Sequence, residues 1–325
     1  MSLKIIKAGL LDTIQDLGRY GHQHQGINPG GSMDRFSSAL SNALLGKELN
    51  SPVIEMHFPA AQFLFETSCV ICITGADFFP TINDIPVSTH QPIAVKEGSL
   101  LSWKGIDKGV RCYLSILNEL KLEKWLGSFS TNLKAAAGGF KGRSLERYDA
   151  LELSQIHLPH IDDDFIGLPW KYNLPKTDSD GIEFIPGNEW NWLTKKSQTD
   201  FLNNSFKITP ASDRMGYRLE SDPLEQNSNE QLISSAVNFG TIQLLPNGQL
   251  IVLMADHQTT GGYPRIGHII SAHLPQMAQM NSNEELKFAM TDVKSAEEKF
   301  VAQQQYLIAL QNTCNLKMQN WLNAH

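Results

Sequence analysis

Apolar and polar positions change rhythm several times along the chain. Up to about residue 28, short apolar pieces are punctuated by Gly18, Gly21 and Gly26, the texture of brief strands and loops. Gly30-Gly31-Ser32-Met33-Asp34 then leads into a stretch where Phe36, Leu40 and Leu44 recur every four residues. That spacing predicts a short helix, with Ser32 as its N-cap, Asp34 favoured by the first-turn dipole and Gly46 as the stop. From Val53 to Leu117 the period shortens to two, and strands are expected over 62–65, 70–74, 93–95, 100–103 and 111–116. Gly75-Ala76-Asp77, Asn83-Asp84, Glu97-Gly98 and Lys108-Gly109 supply the turns between them. Strands this short, with no helical crossovers, predict a β-barrel or sandwich and exclude βαβ units.

The stretch 169–181 is rich in proline, aspartate and glycine without an apolar period, and reads as a linker between domains. Beyond it, strands are expected over 182–185, 242–245 and 249–254. Pro246-Asn247-Gly248 marks a hairpin, because Asn-Gly suits a type I′ turn. Leu286, Phe288 and Met290 alternate as a last strand. Ser295 and Glu298 then have capping-box spacing, and Val293, Phe300 and Leu307 recur at seven, predicting a helix of several turns reaching Trp321. The expected organisation is a β-barrel-type domain over 1–170, a second β domain over 181–290 and a C-terminal helix over 291–325.

Composition narrows the classes. Of 325 residues, 41% are hydrophobic and 19% charged, enough apolar surface to offset the entropy of ordering. Lys and Arg number 27 against 34 Asp and Glu, a net charge of −7 that speaks against nucleic acid as a partner. No apolar run approaches the roughly 20 residues that span a bilayer. The start, MSLKIIKAGLLDTIQD, does not read as a signal peptide, so a cytoplasmic location is expected and no membrane partner. Four cysteines provide no disulfide framework. Cys69 and Cys72 form a C-x-x-C, but SCVICIT reads as a buried strand, in which positions three apart face opposite sides. His257, His268 and His273 are close in sequence without H-E-x-x-H spacing, so no metal is expected. There is no G-x-S-x-G elbow. Lys317-Met318 in a helix is a poor biotin acceptor, so no covalent biotin is expected on this chain.

Three segments carry candidate chemistry. The first runs from Ala255 to Arg265, directly after an apolar strand: Arg265 suits a carboxylate or phosphate, Gln258, Thr259 and Thr260 suit an amide or urea-like group, Gly261 and Gly262 allow close approach, and Asp256 is a candidate base. The plainer reading is a loop satisfying its own turn. The second, Pro210 to Leu219, contains Asp213, Arg214 and Arg218. Alternation puts the two arginines on one strand face, and an ion pair of Asp213 with either explains much of the pattern. The third, Ala137-Gly138-Gly139-Phe140-Lys141-Gly142-Arg143, is basic and glycine-rich but lacks P-loop spacing, and a surface loop accounts for it.

Read together, Ile14-Gln15-Asp16-Leu17-Gly18-Arg19, Gly30-Gly31-Ser32-Met33-Asp34, Thr74-Gly75-Ala76-Asp77, Gly138-Gly139-Phe140 with Gly142-Arg143, Ser212 to Leu219, Gly240-Thr241-Ile242-Gln243 and Ala255 to Gly267 resemble, in the same order, the allophanate hydrolase subunit 2 family, also called biotin-dependent carboxyltransferase-like. Its bacterial members include the C-type subunit of 5-oxoprolinase. The resemblance spans about residues 8–292. It implies a mainly β fold of two cyclophilin-like β-barrel domains, with a short helix in the N-terminal half and a long C-terminal one. It also implies a subunit 1-like (B-type) partner protein and a LamB/YcsF-type hydrolytic subunit, an assembly that opens 5-oxoproline to glutamate with ATP and magnesium. On that reading the substrate is a small amide or lactam. Asp256, Asp213 and Arg265 are catalytic candidates, and Arg214, Gln258, Thr259, Thr260, Gly261, Gly262, Tyr263 and Gln243 bind substrate. Lys134 and Arg143 are weaker phosphate candidates, and Asp16, Arg19 and Asp34 contribute from the first domain. Two alternatives remain open: carboxyl transfer to a urea-like amide, and a regulatory module that antagonises a kinase inhibitor.

Overall fold

The computed structural model describes residues 1–173, 181–227 and 232–323. The expected linker over 169–181 therefore lies largely outside the described residues. The chain is mainly β, with four α-helices among the described residues, the last of them long. It divides into two compact units that are discontinuous in sequence. One comprises Met1–Gly18, Asp34–Pro175 and Gln304–His325, and the other Arg19–Met33 and Lys176–Gln303. Residues 19–33 thus fold with the second unit and 304–323 with the first, whereas the sequence-based boundaries are contiguous.

In the first unit, two six-stranded sheets enclose one apolar core. One sheet has the order Ala150–Glu152, Ser2–Lys7, Gln62–Phe65, Leu100–Trp103, Pro80–Ile82, Ile85–Pro86. The other has the order Phe165–Gly167, Pro92–Val95, Cys69–Gly75, Arg111–Ile116, Val53–His57, Thr13–Gln15. Period-two alternation decides which side chains fill the core. Cys112, Leu114 and Ile116 point into it, while Tyr113 and Ser115 point to the opposite face. Cys69 and Cys72 obey the same rule, since Cys69 sits in the core between the sheets and Cys72 in a separate cluster under the helices.

The helix Arg35–Leu44 covers that opposite face with polar contacts. Thr74 Oγ1 donates to the Ser37 carbonyl at 2.6 Å, and Ser115 Oγ donates to Asn42 Oδ1. Its N-cap is Asp34, not Ser32: the carboxylate accepts from the Ser37 amide at 2.8 Å and from its hydroxyl at 2.6 Å. Asp34 wins because it stands three residues before a free amide that it also neutralises in part. Gly46 lies just past the helix at φ +69°, where an added Cβ would come within 2.5 Å of Asn315 Cα. Asn315 belongs to the helix Val293–Asn323, whose Leu307, Cys314 and Met318 are buried, with Leu310 and Trp321 packed beside them. The packed stripe follows that helical spacing, and Val293 and Phe300 from the expected heptad stay exposed. The N-cap of this helix is Asp292, which accepts from the Ser295 amide.

In the second unit, eight strands form a single sheet: Glu285–Leu286, Phe206–Ile208, Gly216–Glu220, Leu250–Leu253, Thr241–Leu244, Arg265–Ile269, Ile182–Pro186, Phe288–Met290. Its two edge strands are separated in sequence by Lys287 alone, so the sheet curls until its edges nearly meet, giving a nearly closed barrel. Phe184, Phe201, Phe206 and Phe288 fill the interior, the last stacked on Phe201 at 4.8 Å. Phe201 comes from the helix Lys195–Asn203, whose polar sequence shows no clear apolar period. The Pro246-Asn247-Gly248 turn joins Thr241–Leu244 to Leu250–Leu253 in the predicted hairpin, but not as a type I′ turn: Gly248 alone takes a positive φ, +77°, and its amide donates to the Leu245 carbonyl.

Candidate functional site

On the outer face of the barrel sheet in the second unit, opposite the core-facing Tyr217, Ile242 and Val252, is a cavity of about 500 Å³. Ala211, Asp213, Met215, Gly216 and Arg218 line one side, and Gln243, Leu245, Pro246, Asn247, Ile251, Gln258 and Tyr263 the rest. The loop after the strand Leu250–Leu253 therefore does bring Gln258 and Tyr263 to a concavity. Gln243 is fully buried, yet it forms part of this wall. Its Nε2 donates to the Tyr263 carbonyl at 3.3 Å, and its Oε1 has no hydrogen-bond partner. A buried amide oxygen left unpaired costs roughly 1–3 kcal/mol, which makes Gln243 the polar residue of this wall that the protein itself leaves unsatisfied. Gly261 sits against this amide, and a Cβ there would lie 2.7 Å from Gln243 Nε2. Glycine is what lets the strand Thr260–Gly261 pass so close.

The arginines of the motif segments are engaged by carboxylates. Arg265 grips Glu189 bidentately, Nε to Oε2 at 3.0 Å and Nη2 to Oε1 at 2.9 Å, and its own amide donates to Oε2 as well. Burial by itself would raise the Glu189 carboxyl; the Arg265 hydrogen bonds outweigh it and hold the group below its ordinary value. Arg214 is buried and grips Asp256, Nε to Oδ2 at 2.8 Å and Nη2 to Oδ1 at 3.1 Å, with Nη2 also donating to the Gly31 carbonyl at 2.7 Å. The expected pairing of Asp213 with an arginine is replaced by a turn: Asp213 Oδ1 accepts the amides of Met215 and Gly216. Arg214 and Arg218 also part company, because Arg214 precedes the strand and turns inward while Arg218 is exposed at the cavity. Gly30 packs on Arg19 and Asp256, so that a Cβ would stand 3.2 Å from Arg19 Nη1 and 3.7 Å from Asp256 Oδ1. Arg19, Gly30, Gly31, Arg214 and Asp256 thus form one polar cluster in the second unit.

A family model, "Carboxyltransferase domain, subdomain A and B", matches residues 25–290. The chain belongs to this carboxyltransferase domain family. The C-type subunit of 5-oxoprolinase from Haemophilus influenzae is 34% identical over 284 residues, which is 87% of this chain and 89% of that protein. The protein of the same name from Escherichia coli is 33% identical over 305 residues, 94% of this chain and 96% of that one. The crystal structure of the Kluyveromyces lactis urea amidolyase shares the fold, with a TM-score of 0.87 at 24% identity over 95% of this chain and 20% of that one.

Within this carboxyltransferase-domain chain, the remaining motif residues are structural anchors. Thr259 contributes its carbonyl to the Val237 amide, and Thr260 pairs with Ala236 across a short ladder. Gly262 is exposed beside Leu232 and Ser234. In the first unit, Asp16 accepts from the Ser128 and Ser130 hydroxyls and from the Phe129 amide, tying that loop to the N-terminal segment. Arg143 is held by Asp149 at 2.7 and 2.8 Å, and Lys134 is exposed. The glycine-rich loop around them spends its amides internally, Ala137 on Asn132, Gly139 on Phe129 and Gly142 on Gly138. These donors do not fit a nucleotide phosphate. Among the described residues, no group of three or more His, Cys, Asp or Glu could hold a metal ion, and no helix is long and apolar enough to cross a membrane.

Sequence reasoning passed over a polar row in the first unit. Tyr113 Oη donates to Glu55 Oε2 at 2.8 Å and accepts the Asp34 amide at 2.8 Å, all of it buried. Burial, then Glu55 and Asp34, push the phenol well above its ordinary range. The available signal was a glutamate inside the apolar strand VIEMH, which only a partner can justify.

Proposed function

We propose that this chain is the C-type subunit of an ATP-dependent 5-oxoprolinase and that the cavity on the outer face of its barrel sheet holds the lactam. The reading rests on one observation above the others: the buried Gln243 amide, whose Oε1 faces no protein donor although the side chain lines the cavity. A lactam presents an N–H donor beside its carbonyl, and Gln243 Oε1 would accept that N–H. 5-Oxoproline also has a carboxylate, for which Arg218 at the same cavity is the cationic partner. Leu245 and Ile251 exclude water from the ring. The near-complete mutual coverage with two proteins that carry the 5-oxoprolinase name supports the assignment.

In this reading Arg265 and Arg214 act by position. Arg265, through Glu189, fixes the strand that follows the Gln258–Tyr263 loop, and Arg214, through Asp256, fixes its base. ATP and magnesium are assigned to the assembly with the subunit 1-like (B-type) and LamB/YcsF-type partners. No step on this chain is routed through them.

The test is ATP-dependent opening of 5-oxoproline by the reconstituted assembly with Gln243→Leu. The substitution removes the unpaired acceptor together with the 3.3 Å bond to the Tyr263 carbonyl, so a thermal melt accompanies the assay, and turnover at low substrate is expected to fall by about tenfold or more. A variant as active as the parent overturns the assignment of Gln243. Activity that requires a biotinylated protein and is blocked by avidin would replace the reaction by carboxyl transfer.

A further inference from the structure

The first unit holds a second cavity of about 500 Å³, which the reading above does not use. Its wall includes Lys47, Glu119 and Lys124 over a floor of Leu117, Leu120 and Phe129. Lysine normally lets its stem lie on apolar surface and carries the ammonium out to water. Lys47 does the reverse. Its stem keeps some exposure, while Nζ turns inward and donates to the Ile116 carbonyl. Burial lowers this amine to about 8, and the nearby Glu119 carboxylate partly offsets the drop. An ammonium has three donors, and an inward-facing one has much to gain from an anionic acceptor.

The Glu119 backbone is fixed, while its side chain is exposed at the edge of the cavity. Its amide donates to Ser154 Oγ at 2.8 Å, and its carbonyl accepts the Ser154 amide. On the other side, Lys124 Nζ lies 5.1 Å above the Phe129 ring, so that ring and cation are already engaged with each other. The wall therefore presents the inward Lys47 amine and two acidic residues, Glu48 and Glu119, of which Glu119 is close enough to act on Lys47, above an aliphatic and aromatic floor. The volume falls in the range of small-molecule sites.

We propose that this cavity is a binding site for a free α-amino acid with an apolar side chain, its carboxylate on Lys47, its ammonium on Glu119 and its side chain against Leu117, Leu120 and Phe129. A molecule with both charges engages both protein groups at once, whereas an acid or an amine alone engages one of them. The site is separate from the cavity on the barrel sheet, and its occupancy stands or falls independently of the lactam reading.

Isothermal titration of the intact chain with L-leucine, L-leucinamide and 4-methylpentanoate tests it. Leucine is expected to bind, with the amide and the acid each weaker by about tenfold or more. Lys47→Met and, separately, Leu120→Trp, which fills the cavity, are each expected to abolish leucine binding. Circular dichroism melts confirm that the variants fold, and Glu119→Gln provides a gentler second arm with a loss of about tenfold. Failure of leucine to bind at about 10 mM, equal binding of all three probes, or binding that survives both Lys47→Met and Glu119→Gln overturns the proposal.

Discussion

Asp12 in the first unit and Glu189 in the second are buried carboxylates treated in opposite ways. In the first, Asp12 is fully buried and held by the Ala61 amide at 2.7 Å, with Oδ1 lacking a hydrogen-bond partner; burial pushes its pKa up to about 7. In the second, Glu189 and Asp256 each receive a two-pronged guanidinium. Backbone amides alone do not compensate the desolvation of a charge, while an aligned guanidinium does so and locks two chain segments together. The contrast teaches that a motif arginine near a cavity can be the brace of that cavity and leave recognition to a neutral side chain such as Gln243.

The largest consequence is expected at Arg214. Arg214→Met leaves Asp256 half-enclosed without its partner and removes the bond to the Gly31 carbonyl, at a cost of about 3–5 kcal/mol in urea unfolding. Lysine at this position restores little, because it cannot span both carboxylate oxygens.

Asp12 comes next, and here the sign is reversed. Its folded pKa lies above the ordinary value of 3.8, so the folded state binds the proton more tightly than the unfolded chain. This group's contribution is complete below that ordinary value and is lost as pH rises through about 7. Between pH 5 and pH 8 the parent is expected to lose roughly 2–3 kcal/mol from this group, and Asp12→Asn to flatten that slope in unfolding measured across pH. A slope equally steep in the variant would assign the effect elsewhere.

How much of this was legible in the sequence differs by level. Strands 62–65, 100–103 and 111–116 coincide with the observed elements, because alternation in an antiparallel sheet with one core-facing side is written directly into residue type. The helix Lys195–Asn203 was not legible, since Phe201 is its one large buried side chain and a single residue defines no period. Discontinuity of the units was invisible for another reason: local composition records no long-range pairing. At the candidate site, the motifs pointed to a loop that lines a cavity, but residue chemistry alone could not say whether Arg265 meets a ligand or Glu189. That is decided by a residue 76 positions away.

A smaller effect is expected at Arg265. Arg265→Ala strands Glu189 and costs about 1–2 kcal/mol at pH 7, and adding Glu189→Gln recovers part of it in a double-mutant cycle. Because Glu189 is held below its ordinary 4.5, the pair's contribution is present above that value and fades as pH falls through the lowered one. The parent should therefore lose its advantage over the double variant in acid. Least of all is expected from the exposed Lys104–Asp84 pair, where Lys104→Ala stays within about 0.5 kcal/mol.

The four thiols are distributed in a way that makes the chain its own probe of local opening. Cys69 and Cys112 belong to the core between the two sheets, Cys72 and Cys314 to the cluster under the helices, and the barrel unit has none. All four are buried, and burial raises every one of these thiols, so alkylation waits on exposure. Tracking which peptide takes up a maleimide first would time the release of each layer separately, with no foreign label engineered into the chain.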